Sequence, residues 1–213
     1  MLLLKPSHTI ESPIDREQIL RSIERAGRTC KNSNNKTTED SARKFMLMII
    51  HRGHESVLEH EKLTVRIVCD RGITHQLVRH DAAFSQESTR YCDYVDEVTF
   101  IIPPWVDIPP GKYDATSSIK HIRSNSDRRW YLAMLHAEEH YQSLRSGGWV
   151  PEKARAVLPN STKAEIVVTM NLREWRHFFK LRTHAAAHPQ MREVALPIFN
   201  EIREKIPELL FDY

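Results

Sequence analysis

The sequence predicts an α+β fold in which helices flank a modest central sheet that is mixed or antiparallel. Three observations lead to this class. Several long segments repeat apolar residues every three or four positions, as helices do, while shorter segments alternate polar and apolar residues or are β-branched, as strands are. No G-x-G-x-x-G turn and no Walker lysine follows a predicted strand. Any nucleotide must therefore be held by something other than a glycine-rich loop.

Two helices are predicted in the first quarter of the chain. Residues 15 to 28 carry an apolar stripe, and either Ser12 or Asp15 can cap the start of that helix. Residues 40 to 52 carry a second stripe, and Gly53 stands where a helix would end. The pattern therefore predicts a pair of helices before the first long strand.

The middle of the chain predicts strands with one short helix. Residues 62 to 69 alternate polar and apolar side chains and are predicted as a half-buried strand. A short helix from Ile73 to His80 should follow. The segment from Val95 to Val106 is predicted as a strand ended by two prolines. Residues 107 to 126 are rich in Pro, Gly, Ser, Asn and Asp, which predicts a surface insertion.

The last third of the chain is predicted to be mainly helical. A long helix is expected over residues 127 to 146, and Pro151 suits the first turn of the next helix. A strand is expected from Lys163 to Met170. Two closing helices should then run from Leu172 to Thr183 and from Pro189 to Lys205.

Length and composition predict one soluble globular domain covering residues 1 to 213. Hydrophobic residues make up 40% and charged residues 28% of the chain, and no stretch approaches the roughly 20 apolar residues of a membrane span. The three cysteines, Cys30, Cys69 and Cys92, are an odd number without C-x-x-C spacing, so neither disulfides nor a zinc site are expected. We therefore expect a cytoplasmic protein without a membrane partner. The formal charge of +3 does not by itself select a ligand.

The densest group of polar residues lies between Gln76 and Tyr91. Gln76, Arg79 and His80 are three and four residues apart, so a helix here would project them from one face. Beyond that helix, the hydroxyl of Ser88 and the guanidinium of Arg90 could cradle a phosphate. A helix end with a capping network explains the same residues equally well.

This segment resembles the signature of the flavin-dependent thymidylate synthases, which runs Arg-His-Arg, seven residues, then Ser, with Arg-Tyr close behind. Four further blocks resemble that family in the same order, and they begin at Ala26, Gly53, Ala154 and Asn171. The resemblance spans residues 26 to 182. The chain departs from the signature at Asp81, which replaces the second arginine, and the spacing to Ser88 is one residue shorter.

The resemblance implies an enzyme that converts dUMP into dTMP, with 5,10-methylene-tetrahydrofolate as one-carbon donor and NADPH-reduced FAD as hydride source. It also implies a homotetramer with active sites shared between subunits. The implied dUMP-binding residues are Gln76, Arg79, Gln86, Ser88, Thr89, Arg90, Arg155 and Arg182. The implied FAD-binding residues are Cys30, His54, Arg79, His80, Asn171 and His177. Arg182 is the implied catalytic residue, since a cation at the uracil carbonyls stabilises the charge that develops when C5 becomes nucleophilic.

Other chemical readings of these residues are weaker. Histidines and carboxylates between residues 51 and 60 include metal-ligand types, but they lack the H-E-x-x-H spacing of zinc hydrolases, so no metal is expected. Cys92 has no adjacent group that would lower its pKa, which argues against a cysteine nucleophile. Arg155, Arg173 and Arg182 could also be ordinary surface ion-pair partners.

Two alternative functions stay open from the sequence. A homologue that binds FAD and dUMP without turnover would explain the shortened signature at Asp81. A nucleic-acid-binding protein could use the basic residues Arg123, Arg128 and Arg129, but no nucleic-acid-binding motif accompanies them. We therefore expect no nucleic-acid partner.

Overall fold

The computed structural model describes residues 1–117 and 122–213. These residues form two compact units. Unit 1 comprises Met1–Ser7, Ile67–Leu77 and Ser85–Ile166, and unit 2 comprises His8–Arg66, Val78–Phe84 and Val167–Tyr213. The predicted α+β class is confirmed, whereas the single-domain organisation stays a prediction.

Helices and strands alternate irregularly along the chain. The helices are α1 (Arg16–Thr29), α2 (Ser41–His51), α3 (Arg71–Leu77), α4 (Asn125–Ser146), α5 (Pro151–Ala154), α6 (Leu172–Arg182) and α7 (Pro189–Lys205). The strands are β1 (Leu2–Leu4), β2 (Ser7–Ile10), β3 (Lys62–Asp70), β4 (Ala83–Gln86), β5 (Thr99–Ile101), β6 (Gly111–Lys112) and β7 (Lys163–Asn171). Short 3₁₀ turns cover Asn34–Lys36, Glu55–His60, Arg155–Val157 and Pro207–Leu210.

The strands form two sheets. A three-stranded sheet has the order β5-β1-β6, with β1 parallel to β5 and antiparallel to β6, and its register pairs Leu2 with Thr99 and Leu3 with Gly111. A four-stranded sheet has the order β2-β3-β7-β4. Both long strands, β3 and β7, bury alternate residues, as the period of two in their sequences predicts.

The core of unit 1 lies between the three-stranded sheet and helix α4. It contains Leu3, Phe100, Tyr131 and Tyr141 among its most deeply buried side chains. Helix α4 begins where Ser124 Oγ accepts a hydrogen bond from Asp127 N, a typical N-cap.

The predicted surface insertion, 107 to 126, contributes to that same core. Ile108 and Ile122 are buried there, and the two-residue strand β6 pairs with β1. Ile108 and Ile122 therefore fill part of the interior of unit 1. Residues 118–121 of the stretch lie outside the described residues.

The core of unit 2 is built around the aromatic face of helix α6. Trp175, Phe178 and Phe179 are fully buried, as their helical spacing predicts. Trp175 stacks on Phe179 at 5.5 Å between ring centroids, and Phe179 meets the edge of Phe199 from α7 at 5.4 Å. The indole Nε1 of Trp175 donates to the Leu63 carbonyl at 3.1 Å, which satisfies its only donor. These contacts tie α6 to strand β3 and to α7.

Long elements follow the sequence pattern closely. The predicted bounds of α1, α2, β3, α4, β7, α6 and α7 are confirmed to within one or two residues. Helix α1 is capped by Asp15, one of the two predicted caps, whose Oδ1 accepts from Gln18 N at 3.0 Å. Helix α2 ends as predicted, with Gly53 at φ +68°, a left-handed conformation that favours glycine.

The short elements differ from the prediction. The helix predicted over residues 73 to 80 is wrong in position, because α3 spans Arg71–Leu77. Asp70 Oδ1 accepts a hydrogen bond from Ile73 N at 2.9 Å, which starts the helix two residues earlier than predicted. The chain must then turn after Leu77 to reach strand β4, so Arg79 and His80 are not helical.

The sequence pattern also fails to predict most of the short strands. Only Thr99–Ile101 of the strand predicted from Val95 to Val106 is paired as a strand. The sequence does not predict strands β1, β2, β4 and β6, since two to four residues are too few to display a period. Among the described residues, no helix has the length and apolar character that crossing a membrane requires.

Removing the cap of α1 tests the account of its start. Asp15→Ala leaves the Gln18 amide without its side-chain acceptor, so we expect the free energy of unfolding to fall by about 1 kcal/mol. Asp15→Asn retains an acceptor oxygen and should lose much less. Denaturant titration followed by far-ultraviolet circular dichroism measures both; equal losses would contradict a capping role.

Candidate functional site

Two clusters of predicted site residues are present, one in each unit, and each is described separately. The cluster in unit 2 is built on helix α6, which follows strand β7 without an intervening loop. Asn171 ends the strand, and its Oδ1 accepts from Glu174 N at 2.8 Å, which caps the helix. Glu174, His177 and Arg182 then follow at positions set by the turns of α6.

His80 is the centre of the unit 2 cluster. Its Nδ1 lies 2.7 Å from Glu174 Oε1, and its Nε2 accepts a hydrogen bond from Arg182 Nε at 3.0 Å. A guanidinium can only donate, so Nε2 must carry the lone pair and Nδ1 the proton. His80 is therefore a neutral imidazole that donates to Glu174 and accepts from Arg182.

The electrostatics of His80 agree with that assignment. Burial lowers the pKa of His80 below its ordinary value, because its side chain is only 3% exposed and desolvation disfavours the charged form. The positive charge of Arg182 and the nearby His177 lower this pKa further, whereas the hydrogen bond and charge of Glu174 oppose the shift. The ring is thus neutral at neutral pH.

The same histidine belongs to a group with metal-ligating potential. Ligand atoms of His80, Glu174 and His177 lie within 4.8 Å of one another. Both ring nitrogens of His80 are already hydrogen-bonded, one of them to the cation Arg182. An ion would have to displace that cation, so the arrangement favours a hydrogen-bonded chain over a metal centre.

A cleft of about 740 Å³ opens on α6 beside the hydrogen-bonded residues Glu174, His80 and Arg182. Its volume is within the roughly 300 to 1,000 Å³ that cofactor and ligand sites occupy. The lining residues are polar and charged: Glu55, Glu59, Asp81, Asn171, Arg173, Glu174, Arg176, His177, Lys180, Asp212 and Tyr213.

Only two of the six predicted FAD-binding residues line this cleft. Asn171 and His177 line it, whereas Cys30, His54, Arg79 and His80 are not among its lining residues. Cys30, His54 and Arg79 are exposed in unit 2.

Arg176 anchors one wall of the cleft. Its guanidinium is buried and pairs with Glu55 at 3.0 Å and with Asp212 at 2.8 Å. It also donates to the Leu209 carbonyl, and Tyr213 Oη donates to the Arg176 carbonyl at 2.6 Å. The hydrogen bond from Arg176 lowers the pKa of Asp212. This network attaches the last residues of the chain to α6.

Asp81 stands where the family signature has its second arginine. Its side chain is exposed and lines the cleft. No hydrogen bond or ion pair of Asp81 occurs within the described parts of the chain. The carboxylate therefore faces solvent and does not neutralise a neighbouring arginine.

The cluster in unit 1 follows strand β4. Ser88 Oγ accepts from Arg90 N at 3.3 Å, and Arg155 Nη1 donates to the buried Thr89 Oγ1 at 3.1 Å. Arg90 Nη2 reaches Glu152 Oε2 at 3.3 Å, while Arg155 Nε donates to the Glu152 carbonyl. Two guanidiniums and two hydroxyls, from the loop after β4 and from the 3₁₀ turn that begins at Arg155, thus belong to one cluster, a chemistry suited to a phosphate.

The Glu152 carboxylate, which balances the charge of Arg90, is weakly held. The Arg90–Glu152 pair is long and about half exposed on both sides, so solvent screens it and an anion could replace the carboxylate. Gln86 Nε2 donates to Thr74 Oγ1 at 3.2 Å and lies near the loop's start.

Arg155 differs from an ordinary surface ion-pair partner. Its side chain contacts the Thr89 hydroxyl and the Glu152 backbone carbonyl, and neither is a carboxylate.

One grouping predicted from the sequence is wrong. Gln76 is on α3, whereas Arg79 and His80 follow its end, so the three side chains do not share a helix face. The tight turn that leads into strand β4 prevents the helix from continuing. Arg173 has the surface role that the sequence left open, since it pairs with the exposed Glu59 at 2.6 Å.

Sequence reasoning also missed residues that shape the site. Glu174 binds His80, which is 94 positions away, and no local pattern connects the two. Arg176 was not selected, although a lone arginine between the buried Trp175 and Phe178 is a signal of a paired internal charge. Glu152 lies in the first turn of α5, and no sequence pattern marks it as a site residue.

The fold and its two clusters define an α+β protein with a group of cations and hydroxyls in unit 1 and a polar cleft in unit 2. A family profile described as "Thymidylate synthase complementing protein" matches residues 14–208. The chain belongs to this family.

Named relatives agree with the profile. The chain is 39% identical over 176 residues to a flavin-dependent thymidylate synthase of Pyrococcus abyssi, covering 80% of this chain and 66% of that relative. It is 34% identical over 197 residues to the enzyme of the same name from Corynebacterium diphtheriae, covering 90% of this chain and 77% of the relative. The match therefore spans slightly less than two thirds of the Pyrococcus relative.

Solved structures share the fold. The UMP/dUMP methylase PolB from Streptomyces cacaoi bound with 5-Br dUMP superposes with a TM-score of 0.77 at 26% identity, covering 98% of this chain and 95% of that one. The same methylase bound with 5-Br UMP gives a TM-score of 0.76 at 23% identity, which supports the fold alone.

Breaking the Arg176 network should destabilise the fold. Arg176→Leu leaves Glu55 and Asp212 without their partner, and we expect the free energy of unfolding to fall by about 2 to 3 kcal/mol. Arg173→Leu is the matched control, because it removes an exposed pair three residues earlier on the same helix and should have little effect. Urea denaturation of both variants measures the difference. Equal effects would show that burial of the pair is unimportant.

Proposed function

We propose that this chain catalyses the reductive methylation of dUMP to dTMP. In the balanced reaction, dUMP, 5,10-methylene-tetrahydrofolate, NADPH and a proton give dTMP, tetrahydrofolate and NADP⁺. The observation that supports it best is the unit 1 cluster, where Ser88, Thr89, Arg90 and Arg155 supply two hydroxyls and two cations, one of the cations paired with a weakly held carboxylate. Family membership adds to this support.

The loop acts as the phosphate clamp in this proposal. Arg90 and Arg155 can each present a fork of N–H donors to phosphate oxygens, and phosphate would take the position of the Glu152 carboxylate opposite Arg90. The Thr89 hydroxyl lies beside the Arg155 guanidinium and the Ser88 hydroxyl beside the Arg90 backbone N–H, and both supply neutral hydrogen bonds in this proposal. Gln76, Arg79 and Gln86 complete the proposed dUMP-binding set.

Arg182 is the proposed catalytic residue. The methylene carbon bonds to C5 of uracil as its C–N bonds to the folate break and tetrahydrofolate leaves, the C5 proton departs, and a hydride derived from NADPH reduces the methylene to methyl. Negative charge develops on the pyrimidine carbonyls as C5 becomes nucleophilic, and a fixed guanidinium stabilises that charge. The neutral His80 holds the Arg182 Nε, so the cation is not screened by a carboxylate at that atom.

The cleft on α6 is large enough for the ring system of a flavin. Asn171 uses its oxygen for the helix cap, which leaves the amide N–H₂ free of that contact, and His177 presents an exposed ring. Lys180 adds a cation to the same cleft, whereas Arg173 is paired with Glu59 there. We assign FAD to Asn171 and His177 there, together with Cys30, His54, Arg79 and His80 in the same unit. Bound FAD supplies the hydride chemistry.

The assembly and location are also proposals. We propose a homotetramer in which sites draw residues from more than one copy, and a cytoplasmic location. All three cysteines are free thiols, which suits a reducing compartment.

The direct test is an anaerobic single-turnover assay on the purified full chain. Protein with FAD, NADPH and methylene-tetrahydrofolate should convert dUMP to dTMP, quantified by chromatography while the flavin spectrum is recorded. UMP is included as a parallel substrate. Methylated product only when folate is present would support the proposal.

Other outcomes lead to distinct conclusions. Flavin binding and a dUMP-dependent spectral change without product would mean a homologue that lost turnover, in line with Asp81 in place of an arginine. Methylation of UMP in preference to dUMP would overturn the assigned substrate. A colourless protein with no response to either nucleotide would overturn the whole proposal.

The phosphate clamp generates a separate prediction. Arg155→Ala removes a charged donor beside Thr89, worth about 1.5 to 3 kcal/mol, so the dissociation constant for dUMP should rise about 10- to 100-fold. Deoxyuridine, which lacks the phosphate, should bind both proteins equally weakly. Isothermal titration calorimetry checks both ligands. Arg203→Ala, an exposed arginine in another part of the chain, is the control and should leave binding unchanged.

A further inference from the structure

The chain Glu174–His80–Arg182 has a role beyond the proposed flavin contact of His80. We propose that His80 is a positioning residue: as a neutral imidazole whose tautomer is selected by Glu174, it orients the Arg182 guanidinium toward the pyrimidine. This inference rests on the proposed function for the identity of the substrate. The hydrogen-bonded chain itself is a feature of the described residues.

The geometry of the contact restricts Arg182. The guanidinium is planar, so a hydrogen bond from Nε to His80 Nε2 at 3.0 Å constrains the plane that also contains both terminal nitrogens. Arg182 is the last residue of helix α6. A fixed acceptor at Nε therefore reduces the rotational freedom that substrate binding would otherwise have to remove.

His80 can serve as a fixed acceptor because it is itself held. Its ring meets the edge of Phe178 at 5.1 Å and of His177 at 5.9 Å, and it is buried. Glu174 accepts from Nδ1 at 2.7 Å, and the backbone of Glu174 is fixed by the Asn171 cap. Ring rotation would break both hydrogen bonds, so the Nε2 lone pair points consistently at Arg182.

The arrangement works only while His80 is neutral. A protonated ring has no lone pair for Arg182 and places two cations in contact. The charged and titratable groups facing the ring are Glu174, Arg182 and His177, all from α6, with Arg79 and Asp81 exposed on either side in the chain. Burial lowers the pKa of His80, which keeps it neutral through the physiological range.

The decisive experiment compares the pH dependence of turnover in the wild type and in Glu174→Gln. Protonation of His80 should produce an acid limb in kcat below about pH 6.5, the ordinary histidine pKa. Glu174 favours the protonated ring, so its neutral replacement, which still accepts from Nδ1, should move that limb to lower pH. An unchanged limb in Glu174→Gln would overturn the proposal.

His80→Gln provides the second variant. It can accept from Arg182 but cannot also keep the link to Glu174, so we expect kcat to fall about 10- to 100-fold, with a much smaller change in the KM for dUMP because the unit 1 clamp is intact. The acid limb should disappear. A rise in KM with unchanged kcat would overturn a positioning role.

The matched controls are His8→Gln and Glu201→Gln. His8 Nε2 and Glu201 Oε2 form a comparable histidine–carboxylate contact at 2.9 Å in the same unit, away from the proposed site. These variants should retain the wild-type pH profile. A shift as large as that of Glu174→Gln would show that the effect is not specific to His80.

A measurement without substrate separates this inference from the proposed function. Nitrogen-15 spectra of histidine-labelled protein, assigned with His80→Gln, report the tautomer and the pKa of His80. We expect a proton on Nδ1, a pKa below 6.5, and a higher pKa in Arg182→Ala once the cation is gone. A proton on Nε2, or no response to Arg182→Ala, would overturn the inference even if the wild type makes dTMP. The expected spectra with an inactive wild type would instead overturn the proposed function.

Discussion

Strand β7 passes into helix α6 at Asn171 without a loop, and the arrangement of unit 2 depends on that junction. Alternate residues of the strand are buried, so the register of β7 determines which way α6 starts. The cap from Asn171 to Glu174 then sets the rotation of the helix about its axis. One face carries Trp175 and Phe179 into the core, and other positions present His177 to the cleft.

The two clusters hold charge in opposite ways. In unit 2, Arg176 and His80 are buried and each is satisfied by partners within the chain, which stabilises one geometry at the expense of freedom. In unit 1, Arg90 is half exposed and paired only loosely with Glu152. In the proposed function, the loose pairing lets Arg90 exchange the Glu152 carboxylate for a phosphate.

Much of the fold could be predicted from local patterns. Helices α1, α4 and α7 are long enough to show several turns of apolar period, and Asp15 and Gly53 mark boundaries for reasons of backbone chemistry. Strand β4 is too short to show a period, and its pairing decides where α3 ends. The predicted helix face of Gln76, Arg79 and His80 failed for that reason, since sheet pairing is a long-range interaction.

The sequence by itself determined the residue types of the site and their order, because Ser88, Thr89 and Arg90 are neighbours and one loop keeps them together. It also determined the aromatic face of α6, which follows from helical spacing. Only the tertiary structure decided that Glu174 meets His80 and that His80 accepts from Arg182, contacts that span 94 and 102 positions. A tautomer, a buried charge and the direction of a guanidinium are set by which groups face one another across the fold, and no local period encodes that.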